Sequence, residues 1–188
     1  MSIDRRKFIG LVASVPALAV IDMKVAFAVD SKPHKFEKVA GYVLPENPDI
    51  RRTTKLHRFY RNRTGDHLYS QNPKVPADYN SEGIAARVFS NKYYGTVPLY
   101  ALYDPNMDNH FYTVNAGERQ NVLARGIRDE GIACYIFDNP VLGSVPLYRM
   151  LREETGDHFL TTDIEEVRKW DSYANIRIPL PYLFYISC

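Results

Sequence analysis

Three octapeptides in this chain set a histidine directly after an acidic or amide side chain. They are "TGDHLYSQ" (64–71), "MDNHFYTV" (107–114) and "TGDHFLTT" (155–162), giving Asp66-His67, Asn109-His110 and Asp157-His158. Two chemistries use such residues. A carboxylate beside an imidazole serves proton transfer, and three imidazoles converging on one point hold zinc. A pattern that keeps one histidine in every copy favours a local role instead, with each ring bonded to a carbonyl or hydroxyl of its own hairpin. No metal and no cofactor is therefore assigned to His67, His110 or His158. Eight residues before each Asp or Asn stand Arg58, Ala101 and Arg149. The copy without the arginine also lacks the aspartate, and this joint change predicts that the two charges pair across a hairpin. The functional counterpart is a sugar-binding set. Arg58, Asp66, Arg149 and Asp157 would grip vicinal hydroxyls and Tyr60, Tyr69 and Tyr112 would stack on the ring, with the second copy an altered site.

Other signatures carry less. "DPNMDN" (104–109) spaces Asp104, Asn106 and Asp108 like the start of a calcium loop, but lacks the later glycine and the bidentate glutamate. There is no G-x-S-x-G, H-E-x-x-H, phosphate-binding loop or dinucleotide fingerprint. Ser70 becomes Thr113 and Thr161 in the other copies, and Cys134 stands where they have Gly41 and Ala86, which marks a small core residue rather than a nucleophile. The remaining catalytic arrangement is a hydrolase site in the diverged second copy, using His110 with Asp108 or Asp104.

The elements that hold these residues come as a threefold repeat. "KLHRFYRNRTGDHLYS" (55–70), "PLYALYDPNMDNHFYT" (98–113) and "PLYRMLREETGDHFLT" (146–161) align without gaps, and each follows a second block: "EKVAGYVL" (37–44), "EGIAARVF" (82–89) or "EGIACYIF" (130–137). The second blocks and the "VPLYALY" segments are rich in β-branched and aromatic residues and read as strands. Tight turns lead into short return strands, "HLYS", "HFYT" and "HFLT". A helix is expected over 115–126, capped by Asn115 with Glu118 completing a capping box and Gly126 ending it, and another over 162–170 with Asp163 and Glu166. The prolines of "NPKVPADYN" leave at most a turn in the first copy. The predicted fold is mainly β with short helices: three tandem repeats of about 45 residues (37–81, 82–129 and 130–188) in a closed pseudo-threefold assembly, trefoil-like or small-propeller-like. The strand at 37–44 is expected to meet the chain's other end, with "LPYLFYISC" (180–188) as the matching last strand.

Residues 1–28 have the layout of a twin-arginine signal peptide: Arg5-Arg6, an apolar run and a small-x-small step at Ala26–Ala28. Residues 29–36 read as a linker. The basic balance belongs to the signal, since without it acidic and basic residues are equal in number. No Lys/Arg block remains for nucleic acid or an anionic membrane, and no stable membrane insertion is expected after cleavage. The predicted location is periplasmic or extracellular. Cys134 and Cys188 form a candidate disulfide in that compartment.

The units resemble a repeat family of unknown function from secreted bacterial and fungal proteins, whose blocks read approximately VPLYRLY, TGDHFYTT and EGIAGYVF. The resemblance spans about residues 37–188 and departs at Ala101, Asn109, Arg87 and the degenerate last strand. It implies an accessory binding role and transfers no catalytic residue. The sequence thus predicts a non-catalytic exported binding module for carbohydrate or another cell-envelope polymer. The alternatives are the second-copy hydrolase and a purely structural or protein-interaction repeat.

Overall fold

In the computed structural model, described over residues 34–46 and 52–171, the chain is mainly β, with nine strands and two short helices among those residues. Three hairpins carry the repeated octapeptides: β2 (Thr54–Arg61) with β3 (Asp66–Ser70), β5 (Thr96–Asp104) with β6 (Asn109–Thr113), and β8 (Val145–Arg152) with β9 (Asp157–Thr161). Each hairpin takes one of the second blocks as a third, antiparallel strand. β4 (Asn80–Val88) lies on β2, β7 (Arg128–Phe137) on β5, and β1 (Lys35–Val43) on β8. The first of the described strands thus completes the last of the described hairpins. A single register pair, Tyr42 with Phe137, joins β1 to β7 and makes a six-stranded sheet ordered β6-β5-β7-β1-β8-β9. Its outer strands β6 and β9 lie against each other, so the sheet is nearly closed and barrel-like. The second sheet, β3-β2-β4, is linked to the first by isolated bridges Leu44–Arg87 and Phe89–Tyr135.

Alternation along the strands sends Leu56, Leu99 and Leu147, one from each hairpin, into the core with no exposed surface. Gly41, Ala86 and Cys134 are aligned small residues for a packing reason. A Cβ on Gly41 would stand 2.6 Å from the Ile136 side chain and 2.8 Å from the Phe137 carbonyl oxygen. Cys134 is fully buried, and desolvation pushes its thiol up to about 12, which suits a core residue and not a nucleophile. Cys188, and with it the candidate disulfide, lies outside the described residues, as do the signal segment and the strand expected at 180–188.

The turns differ in one instructive way. Gly65 and Gly156 take φ of +79° and +70°, and the second hairpin meets the same need with Asp108 at φ 55°. Asp104 and Asp108 have local employment there. Asp104 accepts from the backbone N–H groups of Asn106 and Met107, and Asp108 accepts from Arg61, Arg63 and the Tyr103 hydroxyl. Helix α1 spans Ala116–Leu123 after Asn115, and α2 spans Ile164–Trp170 after Asp163, each with the N-cap residue the sequence predicts. α1 stops before Gly126, at Leu123. Residues 71–79 form bends and turns.

Candidate functional site

The predicted pairing of Arg58 with Asp66, and of Arg149 with Asp157, does not form. In the β2–β3 register Arg58 faces Tyr69, and Asp66 faces Arg61. Facing residues in this hairpin are separated by odd numbers of positions, so two residues eight apart do not meet, and the two charges point to different neighbours.

Each arginine is instead clamped between two glutamates. Arg58 bonds Glu82 of β4 through Nε at 2.9 Å, and Glu166 of α2 through both terminal nitrogens at 2.9 and 3.0 Å. Arg149 repeats this with Glu37 of β1 (2.6 and 2.8 Å) and Glu118 of α1 (2.7 and 3.2 Å), and its fifth N–H donates to the Tyr112 carbonyl at 3.0 Å. Only 1 % of the Arg149 side chain is exposed, so every donor must be satisfied internally, and each is. The expected capping-box role of Glu118 and Glu166 is thereby corrected, because both carboxylates are spent on arginines. Burial alone would raise the Glu118 carboxyl, but hydrogen bonds from Arg149, Thr113 and Lys38 bring it down to about 2.

The aspartates latch one hairpin to the next. Asp157 of the third hairpin is fully buried and accepts from the first hairpin's His67, through the backbone N–H at 3.2 Å and Nδ1 at 2.8 Å. His34 Nε2 is a further partner at 3.1 Å. Asp66 of the first hairpin holds the second hairpin's His110 likewise, through N–H at 2.6 Å and Nδ1 at 2.8 Å, and also accepts from the Tyr79 hydroxyl. The far nitrogens face the second-block glutamates: His67 Nε2 lies 3.5 Å from Glu82 and His110 Nε2 lies 3.3 Å from Glu130. Burial pushes both imidazoles down, yet the flanking carboxylates outweigh it and raise each to about 9. Both are therefore imidazolium at neutral pH. His110 bonds Asp66 and faces Glu130, whereas Asp104 and Asp108 are bonded within and beside their own turn.

The third junction, from the second hairpin to the third, is different. Asn109 replaces the aspartate; its amide donates to the Thr155 carbonyl, while its Oδ1 is buried without a partner. His158 Nδ1 turns to the Gly156 carbonyl at 2.9 Å, and its Nε2 sits 3.7 Å from Glu37. Burial, and then the charge of Arg149, lower the His158 pKa, so this ring is neutral at pH 7. With Nδ1 donating to a carbonyl, Nε2 carries the lone pair. A cleft of about 330 Å³ opens here, lined by Asn109, Phe111, Val122, His158, Glu37 and Arg149 among others.

The remaining predicted contacts are placed as follows. Tyr69 and Tyr112 are core residues with no face for a ligand: Tyr69 is 3 % and Tyr112 1 % exposed. The Tyr69 hydroxyl donates to the Leu160 carbonyl at 2.7 Å and accepts from the Leu160 N–H at 2.6 Å, while the Tyr112 hydroxyl accepts from the Tyr69 N–H at 2.9 Å. Tyr60 is half-buried, its ring 4.8 Å from that of His67. Among the described residues no group of three or more His, Cys, Asp or Glu is arranged to hold a metal. Glu37, Glu82 and Glu130 were missed as site residues, although each opens its block in all three copies. His34 sits outside the repeat and gave no signal.

The mainly β architecture, with its charged latches between hairpins, defines the class of protein. The comparison that fits it is a family model described as a domain of unknown function (DUF5648), which matches twice, over residues 22–137 and 72–175. The chain belongs to that family. No curated protein and no solved structure matches. Among the described residues no helix is long and apolar enough to cross a membrane.

Proposed function

We propose that the chain is an exported, non-catalytic binding module for carbohydrate or another cell-envelope polymer, with the repeated motif as its scaffold. We infer the scaffold to be three equivalent units closed around a pseudo-threefold axis, each made of one hairpin and one second block. What supports this is the pairing of β1 with β8, together with the same Arg–Glu and Asp–His relations recurring between successive hairpins.

One observation carries the binding reading. The Asp–His latches consume their ionisable groups at two junctions, while the third keeps a cleft of about 330 Å³ beside a buried, unpartnered acceptor; a second cleft of about 500 Å³ opens beside the Arg58 clamp, and no such acceptor stands in its lining. The earlier assignment of Arg58, Asp66, Arg149 and Asp157 as sugar contacts is replaced, since those side chains stabilise the assembly. A cleft of this size falls in the range of small-ligand sites, about 300–1,000 Å³. Export by the twin-arginine route fits a ligand in the envelope or outside the cell.

The test is retention of the folded, signal-free chain on a panel of insoluble polysaccharides and envelope preparations. Binding that soluble fragments of the retaining polymer compete away is expected. Failure to be retained on any member, with an intact circular dichroism spectrum, refutes the proposal.

A further inference from the structure

The chain supplies its own occupants at two of the three junctions, and they show what the third is shaped for. Beside Asp157 the space is filled by the imidazole of His34. Its ring packs edge-on against Phe159 at 4.8 Å and Trp170 at 5.4 Å and lies 6.4 Å from His67, with Nε2 on the carboxylate. Beside Asp66 the occupant is Tyr79, which brings its hydroxyl to the carboxylate while Arg61 lies over its ring at 5.0 Å. Each occupant is a flat ring carrying a hydrogen-bond donor.

By repeat alignment, Asp157, Phe159, His67 and Trp170 correspond to Asn109, Phe111, His158 and Val122. All four of the latter line the open cleft. The place aligned with His34 and Tyr79 is held there by Ile127, which lines the cleft and brings no hydrogen-bond donor, and replacing the bulk of Trp170 by Val122 widens the slot. Asn109 is 3 % exposed, and its unpartnered Oδ1 is the atom that would receive the missing donor.

We propose that this cleft binds a single neutral pyranose unit, its hydroxyls donating to Asn109 Oδ1 and His158 Nε2 and its C–H face resting on Phe111. The assignment rests on the carbohydrate reading above and names its site. Two acceptors line the same space, and a ring with adjacent hydroxyls satisfies both, whereas a phenol or imidazole brings one donor. All five N–H groups of Arg149 are committed to Glu37, Glu118 and the Tyr112 carbonyl, so the guanidinium left to meet an anionic ligand is that of Arg125, an exposed residue of the lining. Loss of the aspartate's charge also leaves His158 Nε2 free to accept.

The experiment titrates methyl glucoside, mannoside, galactoside and N-acetylglucosaminide into the folded chain. The Asn109 side-chain amide and the His158 ring nitrogens are followed by ¹⁵N NMR. Saturable shifts at these two groups and at Phe111 are expected for at least one glycoside. Affinity should fall at least tenfold in Val122→Trp, which refills the slot, and in Asn109→Ala, which removes the acceptor. If Val122→Trp does not fold, Asn109→Ala decides. Binding that shifts other residues, or that both variants retain, overturns this site and leaves the carbohydrate reading standing. Phenol or imidazole entering the cleft where no glycoside does overturns the sugar assignment. Failure of every glycoside together with every polysaccharide overturns both.

Discussion

Replacing Asp157 by asparagine places at the third-to-first junction the residue that the second hairpin carries naturally at Asn109. Asp157 is fully buried and accepts three hydrogen bonds, two from His67 and one from His34. Removing one partner of a buried charged pair costs about 3–5 kcal/mol. The raised pKa of His67 gives a second figure. Burial lowers the His67 pKa, but its hydrogen bonds to Asp157 and Glu82 raise it from 6.5 to about 9. At about 1.36 kcal/mol per pH unit that corresponds to about 3 kcal/mol, shared between the two carboxylates. The sign follows from a raised pKa: the stabilisation is complete below 6.5 and is lost as pH rises through about 9. At the acid end the Asp157 carboxyl is itself held below its ordinary 3.8, against burial, by His34 and His67, so the latch opens only below that value. Urea unfolding of wild type and Asp157→Asn at pH 6 and pH 10 should therefore give a difference of about 3 kcal/mol at the lower pH and clearly less at the higher. A difference under about 1 kcal/mol at pH 6, or one unchanged between the two, refutes the charged latch.

Asn109→Asp runs the same exchange in reverse: it should lift the His158 pKa from below 6.5 toward the value near 9 of His67 and His110. The imidazole C2–H shift against pH reads this directly, and a midpoint remaining under 6.5 contradicts the equivalence of the three junctions. Tyr69→Phe leaves the Leu160 N–H and C=O without their buried partner and should cost about 2 kcal/mol or more. Polysaccharide retention by that variant should be unchanged, and weakened retention at unchanged stability would return Tyr69 to the binding surface.

Strand identity and the hairpins were legible because the octapeptides and second blocks recur in step, and both helices because Asn115 and Asp163 are unambiguous caps. The partners of the charged residues were not legible. A joint change of Ala101 and Asn109 suggested one contact, but register places Arg58 and Asp66 on opposite errands. Such relations run between hairpins over sequence separations near 45 and 90 residues, as in Asp66 with His110 and Asp157 with His67. Periodicity along a strand reports which face is buried, not which distant element covers it. Composition misled on the tyrosines for the same reason: aromatic content fits a sugar platform and a packed β core equally, and burial assigns Tyr69 and Tyr112 to the core.

The two departures of the second hairpin have separate causes, and both trace to neighbours. An arginine at position 101 would need a glutamate from a helix following β3, as Arg149 has Glu118 and Arg58 has Glu166. The first repeat has the proline-bearing turn at 71–79 there, so a buried guanidinium would face Glu130 alone, and the small apolar Ala101 avoids that desolvation. The same turn carries Tyr79 to Asp66, closing the first-to-second junction with a phenol in place of an outside ligand. Asn109 acts on the other side of its hairpin, where it uncharges the junction to His158 and leaves a buried acceptor without a partner. Had the second repeat merely decayed, the cleft would be expected to collapse onto Asn109 or to leave its amide in solvent. Instead Asn109 is nearly as buried as the aspartates it replaces, with its amide anchored to the Thr155 carbonyl and its oxygen buried without a partner. That arrangement fits the proposed site, because a buried unsatisfied acceptor costs about 1–3 kcal/mol until a donor arrives.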